Sequence, residues 1–355
     1  MPYTHFRYIA YEVPTATTDL NLANGPTLAG LPPGKLCDPV PDIPVKAPLD
    51  QSADWFIRLR RLATMVHMAE RNVQELGDDS TTLKVFVAPE FYLRPADATA
   101  HHTYDVEQYQ EVWGALEQMF RAVRLTNWLI APGSVLWHSD TMDVTQRTFY
   151  NTVWFTFGGA RKGESRRVEK RLASHIDGVP QQFAVGSNPR LQGAYEDREF
   201  ARERLLEIGG QAIAGFEICL DHGDQVLKKT VAELQNDPQD PWKNGGPALH
   251  VLTAGGMPLD EEAIVARPGG YLLRNDGYAN DPYSELRRVT GYALQSGAPA
   301  NAWTDKAIAT LAPDPGVAKE VVLKGESLLV PRMPGQGNYY MSPQRLRIYP
   351  KLAMP

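Results

Sequence analysis

Apolar positions along the 355-residue chain follow two rhythms, and the two rhythms alternate. Residues 4–13 alternate with Phe6, Tyr8 and Ala10 on one side, which predicts a first strand. Residues 52–76 carry Trp55, Leu59, Leu62, Val66, Ala69, Val73 and Leu76 at spacings of four and three, one continuous stripe along a helix. Ser52 or Asp54 caps that helix and Gly77 stops it. LKVFVAPE (83–90) is short, apolar and β-branched, the pattern of a strand buried on both faces. A second helix follows with Tyr109, Val112, Leu116, Met119 and Val123 on one face. Strands are expected at 127–137, 148–157, 211–221, 248–256 and 270–277, with weaker candidates at 327–331 and 345–350 and a helix at 225–235. Alternation of this kind predicts an α/β sandwich and not a bundle or an all-β fold. Without repeats or a clear linker, the chain reads as one domain, 1–355. Three irregular stretches interrupt it, at about 14–50, 93–105 and 180–205.

Composition narrows the function classes. Apolar residues make up 43% and charged residues 22%, ordinary for a globular protein, and no apolar run reaches membrane-spanning length. The formal net charge of −6 disfavours a nucleic-acid partner, which needs a local excess of Lys and Arg. A basic run does exist at Arg161, Lys162, Arg166, Arg167, Lys170 and Arg171, and it reads as a solvated strand edge apart from Lys170. Two cysteines, Cys37 and Cys219, make no disulfide framework. The N-terminus lacks the pattern of a signal peptide, so a cytoplasmic setting is expected.

Three segments end predicted strands with side chains suited to chemistry. Cys219 closes GFEIC, and a helix predicted within about four residues would favour its thiolate. Glu90 follows an apolar strand between Pro89 and Phe91-Tyr92, where desolvation raises a carboxyl pKa towards that of a general base. Lys170 ends a charged strand. Taken singly, a structural cysteine, a strand-end glutamate and a surface lysine explain them as well.

In this order, however, VAPEFY (87–92), EKRLASH (169–175) and GFEICLDHG (215–223) together resemble the carbon–nitrogen hydrolase (nitrilase-like) superfamily. PGS (132–134), YNT (150–152) and RNDG (274–277) add weaker matches, and the likeness runs from residue 4 to about 280. It implies a four-layer α-β-β-α sandwich with Glu90, Lys170 and Cys219 as a catalytic triad. Cys219 would be the nucleophile and Glu90 the proton carrier. Lys170 and the backbone N–H of Leu220 would form the oxyanion site. No metal or cofactor is implied. Many members carry a second glutamate soon after the lysine. Here HIDGVPQQ has none, and Asp177 is the stand-in, with Glu196 a more distant one. Tyr92 and His175 are further candidates for substrate contact.

The resemblance further implies a small-molecule substrate and a homodimer or larger homo-oligomer, with the 343–355 tail as an exchanged arm. The C-L-D sequence at the cysteine tilts the expectation to an amide or N-carbamoyl substrate over a nitrile. Acyl transfer from the same thioester, or a non-catalytic binding role, would use the same fold. His101, His102 and Asp105 lack metal-ligand spacing. His222, three residues after Cys219, is expected to point away from it.

Overall fold

The computed structural model describes residues 3–15, 54–95, 103–121, 125–139, 148–159, 165–177, 203–209, 212–235, 246–278, 282–304, 306–323 and 344–355. Strand β1 (His5–Glu12) leads, after an interval, to helix α1 (Asp54–Glu75), strand β2 (Thr82–Val87) and helix α2 (Val106–Phe120). Strands β3 (Trp128–Ala131), β4 (Ser134–His138), β5 (Phe149–Phe157) and β6 (Arg166–Glu169) follow. Next come β7 (Leu205–Gly209), β8 (Ala212–Ile218), the single turn α3 (Leu220–Gly223), helix α4 (Val226–Gln235), β9 (Leu249–Ala254) and β10 (Tyr271–Asp276). The chain ends in β11 (Tyr283–Leu294), β12 (Ala307–Leu311), β13 (Lys319–Leu323), β14 (Gln344–Ile348) and β15 (Leu352–Ala353).

These strands form two sheets. One runs β13-β14-β1-β2-β3-β5-β4, with β15 also on β1 and β6 also on β5; the other runs β12-β11-β10-β9-β8-β7. Each has three parallel strands at its centre, β1-β2-β3 and β8-β9-β10, flanked by antiparallel neighbours.

Period-two alternation sorts the side chains of the first sheet into two cores. Ile9, Tyr11, Phe86 and Ile130 face α1 and α2, with the stripe Leu59, Leu62, Val66 and Val73 against them. Phe6, Tyr8, Val85, Val87, Leu129 and Phe155 face the other way and meet Ala214, Phe216, Ile218, Val251 and Leu273 of the second sheet. Helix α4 covers the far face of that sheet through Leu227, Val231 and Leu234. The layers are therefore helix, sheet, sheet, helix, an α/β sandwich. Among the described residues, no helix is long and apolar enough to cross a membrane.

Local signals account for the element ends. Gly77, at φ +79°, terminates α1. Asp105 caps α2 and closes a capping box with Gln108. The stretch 127–137, expected as strand throughout, is two strands because Gly133 turns the chain at φ +86°. Strand β7 lies at the end of a stretch expected to be irregular, and its alternation is only five residues long. The weak candidate 327–331, most of 14–50 and 180–205, and residues 96–102 lie outside the described residues. In the tail, β14 and β15 both pair with β1.

Candidate active site

The parallel strands β2 and β8 end at the same rim of the sandwich, the edge where open α/β sheets place ligands. Past β2 the chain makes a tight turn. Ala88 N–H still bonds Ala131 O, but Phe91 adopts φ +60° and its N–H turns to Ser134 Oγ at 2.8 Å. Gly133 lies under this turn: a Cβ there would stand 2.5 Å from Pro89 O and 2.6 Å from Tyr92 Cβ. Gly133 is thus a steric requirement of the turn that places Glu90. Thr15 Oγ1 donates to Glu90 O, and Asn275 of β10 donates across the sandwich to Tyr11 O (3.0 Å) and Val87 O (2.7 Å).

Cys219 leaves β8 at φ +46°, ψ −113°, a conformation that non-glycine residues rarely hold. Buried clamps on either side fix it. Asp221 accepts from Arg171 N–H (2.9 and 3.0 Å), Leu172 N–H (3.0 Å) and Arg204 Nη2 (2.9 Å), which ties the chain just after Lys170 to the chain just after Cys219. Glu217 accepts from Leu227 N–H at 2.8 Å and pairs with His222 Nδ1 (3.0 Å) and His250 Nε2 (3.1 Å).

Glu217, His222 and His250 are close enough to suggest a metal site. Their outer partners argue otherwise. His222 Nε2 accepts from Asp260 N–H and His250 Nδ1 from Val265 N–H, so the nitrogens facing Glu217 carry the protons. This is a carboxylate accepting from two imidazole N–H groups, with no imidazole lone pair left for a common centre.

At the rim, Lys170 Nζ is the hub. It lies 2.9 Å from Glu90 Oε1, 3.0 and 2.9 Å from the two oxygens of Asp177, and 3.5 Å from Ser174 Oγ. Asn151 Nδ2 spans the same two carboxylates, 2.9 Å from Glu90 Oε1 and 3.0 Å from Asp177 Oδ1. Glu90, Lys170, Asp177 and Cys219 are all buried, and Phe91 lies against the ammonium with its ring centroid 5.5 Å from Nζ.

Burial raises the Glu90 carboxyl to about 7, with Asp177 adding to the rise and Lys170 opposing it. Burial also pushes the Cys219 thiol well up, and the Glu90 charge adds to this more than Lys170 relieves it. The thiolate expected from a helix N-terminus is therefore not the resting form: α3 is a single turn, and desolvation wins. Burial alone would lower Lys170, but Asp177 first, then Cys219 and Glu90, hold it well above its usual range. Asp177 is pushed up by burial, yet Lys170 and Ser174 outweigh this and keep it below the usual carboxylate range.

Of the residues singled out in the sequence, the structure brings together Glu90, Lys170, Cys219 and Asp177. Leu220 follows Cys219 as the first residue of α3. Tyr92 does not join them. The positive φ at Phe91 swings its ring into the helix-side core, where its hydroxyl bonds Arg58 O at 2.9 Å. Phe91 takes the place expected of Tyr92. The backbone of His175 opens the short turn that delivers Asp177; Glu196 and Cys37 lie outside the described residues. His222 turns to Glu217, as expected. Asn151 was legible only as part of YNT, with no role attached. Arg204 and the Glu217 cluster carried no signal at all, since nothing in a sequence shows which buried polar groups meet.

No family model and no curated protein matches the chain. Several solved structures are similar. A cysteine-to-alanine mutant of the amidase from Nesterenkonia sp. AN1 in complex with butyramide is 13% identical, with 87% of this chain and 92% of that chain covered and a TM-score of 0.42. Saccharomyces cerevisiae Nit3, a member of branch 10 of the nitrilase superfamily, is 10% identical over 88% of this chain and 91% of that chain, at a TM-score of 0.39. A glutamine-dependent NAD(+) synthetase from Cytophaga hutchinsonii is 12% identical over 80% of this chain and 39% of that chain, at a TM-score of 0.33.

Proposed function

We propose that the chain is a carbon–nitrogen hydrolase of the nitrilase-like type, cleaving a small amide or N-carbamoyl compound through a thioester on Cys219. One observation supports this above the others: a buried ammonium, Lys170 Nζ, sits at 2.9 Å from each of two carboxylates beside a buried cysteine on a strained elbow. Three charged groups sealed from water are costly to keep for stability alone. As a reaction centre they fit.

In the reading, Glu90 takes the thiol proton as the sulfur attacks the carbonyl carbon, a transfer between groups whose environments raise both pKa values. Negative charge then develops on the carbonyl oxygen, and Lys170 and the Leu220 N–H are its partners. Collapse breaks the C–N bond. Glu90 returns the proton to the leaving nitrogen, and the acyl group stays on Cys219. Water gives a proton to Glu90 as it attacks the thioester carbon; the C–S bond then breaks, Glu90 returns that proton to the Cys219 sulfur, and the acid leaves. Asp177 keeps Lys170 protonated and aimed throughout, the work of the second glutamate that HIDGVPQQ lacks.

The test is ammonia release from a panel of aliphatic amides, carbamoyl amino acids and nitriles, with intact-mass detection of an acyl adduct. Wild type is expected to release ammonia from at least one amide or carbamoyl compound. Cys219→Ala is expected to release none while keeping its thermal transition. Wild-type turnover in that variant would sink the proposal.

A further inference from the structure

We propose that Asn151 Oδ1 is the acceptor that receives an N–H of the scissile nitrogen, so that the site selects carboxamide or ureido groups bearing N–H and rejects nitriles. The inference rests on the hydrolase reading above and deepens it.

Asn151 is buried on β5, and both of its amide hydrogens are committed, one to Glu90 Oε1 and one to Asp177 Oδ1. That fixes the orientation of the amide, because the flipped form would set Oδ1 against two carboxylates. Oδ1 is then left buried with no hydrogen-bond partner among the described residues. The geometry of a carboxamide keeps its oxygen about 2.3 Å from its nitrogen, so Oδ1 lies beside the same polar cluster. Glu90 Oε2 is likewise buried without a hydrogen-bond partner. Both acceptors sit on side chains tied to the Lys170 cluster, beside which Cys219 lies. Buried acceptors left unmatched are costly, so the arrangement is complete only when an occupant brings donors.

A primary amide or ureido nitrogen brings two. With one N–H on Asn151 Oδ1, the nitrogen is held beside Glu90, which must deliver a proton to it as the C–N bond breaks. After ammonia leaves, a water can use the same two acceptors for its two hydrogens, with its oxygen lone pair free to attack the thioester. A nitrile nitrogen brings only a lone pair and would meet an acceptor. Sites built to bond a substrate N–H discriminate strongly against analogues without one.

The experiment compares propionamide, N,N-dimethylpropionamide, propionitrile and methyl propionate, or the same four derivatives of the best acyl group from the panel, in wild type and Asn151→Ala. In wild type, kcat/KM for the nitrile and for the dimethylamide is expected to fall at least about 100-fold below that of the primary amide. In Asn151→Ala the amide and the ester both slow, because the amide hydrogens are lost too. The amide-to-ester ratio is expected to fall a further tenfold or more. A nitrile turned over as well as the amide, or an unchanged amide-to-ester ratio in the variant, would overturn the inference while leaving the hydrolase reading intact. Should Asn151→Ala not fold, Asn151→Ser is read by the same amide-to-ester ratio. A wild type that turns over no compound of the full panel overturns both readings.

Discussion

Glu90 holds a carboxyl that burial lifts from 4.5 to about 7, and this single displacement has two measurable consequences. The first concerns rate. Only ionised Glu90 can take the thiol proton, so kcat/KM is expected to rise with pH through an inflection near 7. Glu90→Gln should abolish that limb and slow carboxamidomethylation of Cys219 by iodoacetamide about 100-fold. Equal labelling of wild type and variant across pH 6–8 would contradict the assignment. The second concerns stability. A carboxyl raised in the folded state binds its proton more tightly there than in the unfolded chain. Its contribution is fully present below the ordinary value of 4.5 and is lost as pH rises through about 7. The loss amounts to about 3 kcal/mol at most. Glu90→Gln does not ionise, so its thermal midpoint relative to wild type should climb between pH 5 and pH 8. Asp177, held below the usual carboxylate range, acts in the opposite sense: its contribution is present at neutral pH and disappears only in acid. A midpoint difference that is flat from pH 5 to pH 8 would mean that Glu90 titrates normally.

The elements matter through the way their ends interlock. Gly277, just past β10, has a conformation open to any residue, yet a Cβ there would stand 2.0 Å from Thr15 Oγ1 and 3.0 Å from Pro89 Cβ. Thr15 holds the carbonyl of Glu90, and Pro89 precedes it. Gly277→Ala is therefore expected to move the Glu90 turn and cut kcat at least tenfold, since small misplacements of a reacting group cost rate steeply. Wild-type kcat in that variant would show the turn to be held elsewhere. Beneath the cysteine elbow, Glu217→Gln would point an amide N–H at an imidazole whose outer nitrogen already faces a backbone N–H. One donor is left facing another. A cost of about 2–4 kcal/mol follows, read as a lower urea midpoint at unchanged m-value. Neither interlock was legible in the sequence. Gly277 appears there only as the last residue of an expected strand and of the RNDG match, and Glu217 and His222 look like neighbours of Cys219 with no partner named. The strands and helices that carry them were legible because burial repeats every second or every third and fourth residue. Contacts between the ends of elements repeat with no period, so only the folded chain reveals them. Glu90, Lys170 and Cys219 stood out because each closes an apolar or charged strand, whereas Asn151 sits mid-strand among residues that suit the core equally well.

For the molecule as a whole, the sandwich is closed by the tail of the chain. Strand β14 pairs with β1 on one side and β13 on the other, from Ile9 against Ile348 to Glu12 against Arg345. Leu346 and Ile348 enter the helix-side core, while Tyr349 enters the core between the sheets and stacks on Tyr8 at 4.9 Å. Three fully buried side chains thus fill two different layers from one short segment. Each contributes about 1.5–3 kcal/mol by burial, and domains of this kind are stable by only about 5–15 kcal/mol in total. Removing residues 344–355 would take away most of that margin and expose β1, a strand of the central parallel set, as a free sheet edge. The truncated chain is expected to lose its cooperative thermal transition and to aggregate, even though every residue of the proposed catalytic group remains. The same pairing bears on assembly. A tail satisfied by its own sheet has no need of a partner to bury it, so dilution should leave the thermal midpoint of the full chain unchanged if the tail stays home. A midpoint that falls with dilution would instead indicate that the tail is shared between copies, and a truncated chain melting within a few degrees of the full one would show that the sandwich closes without it.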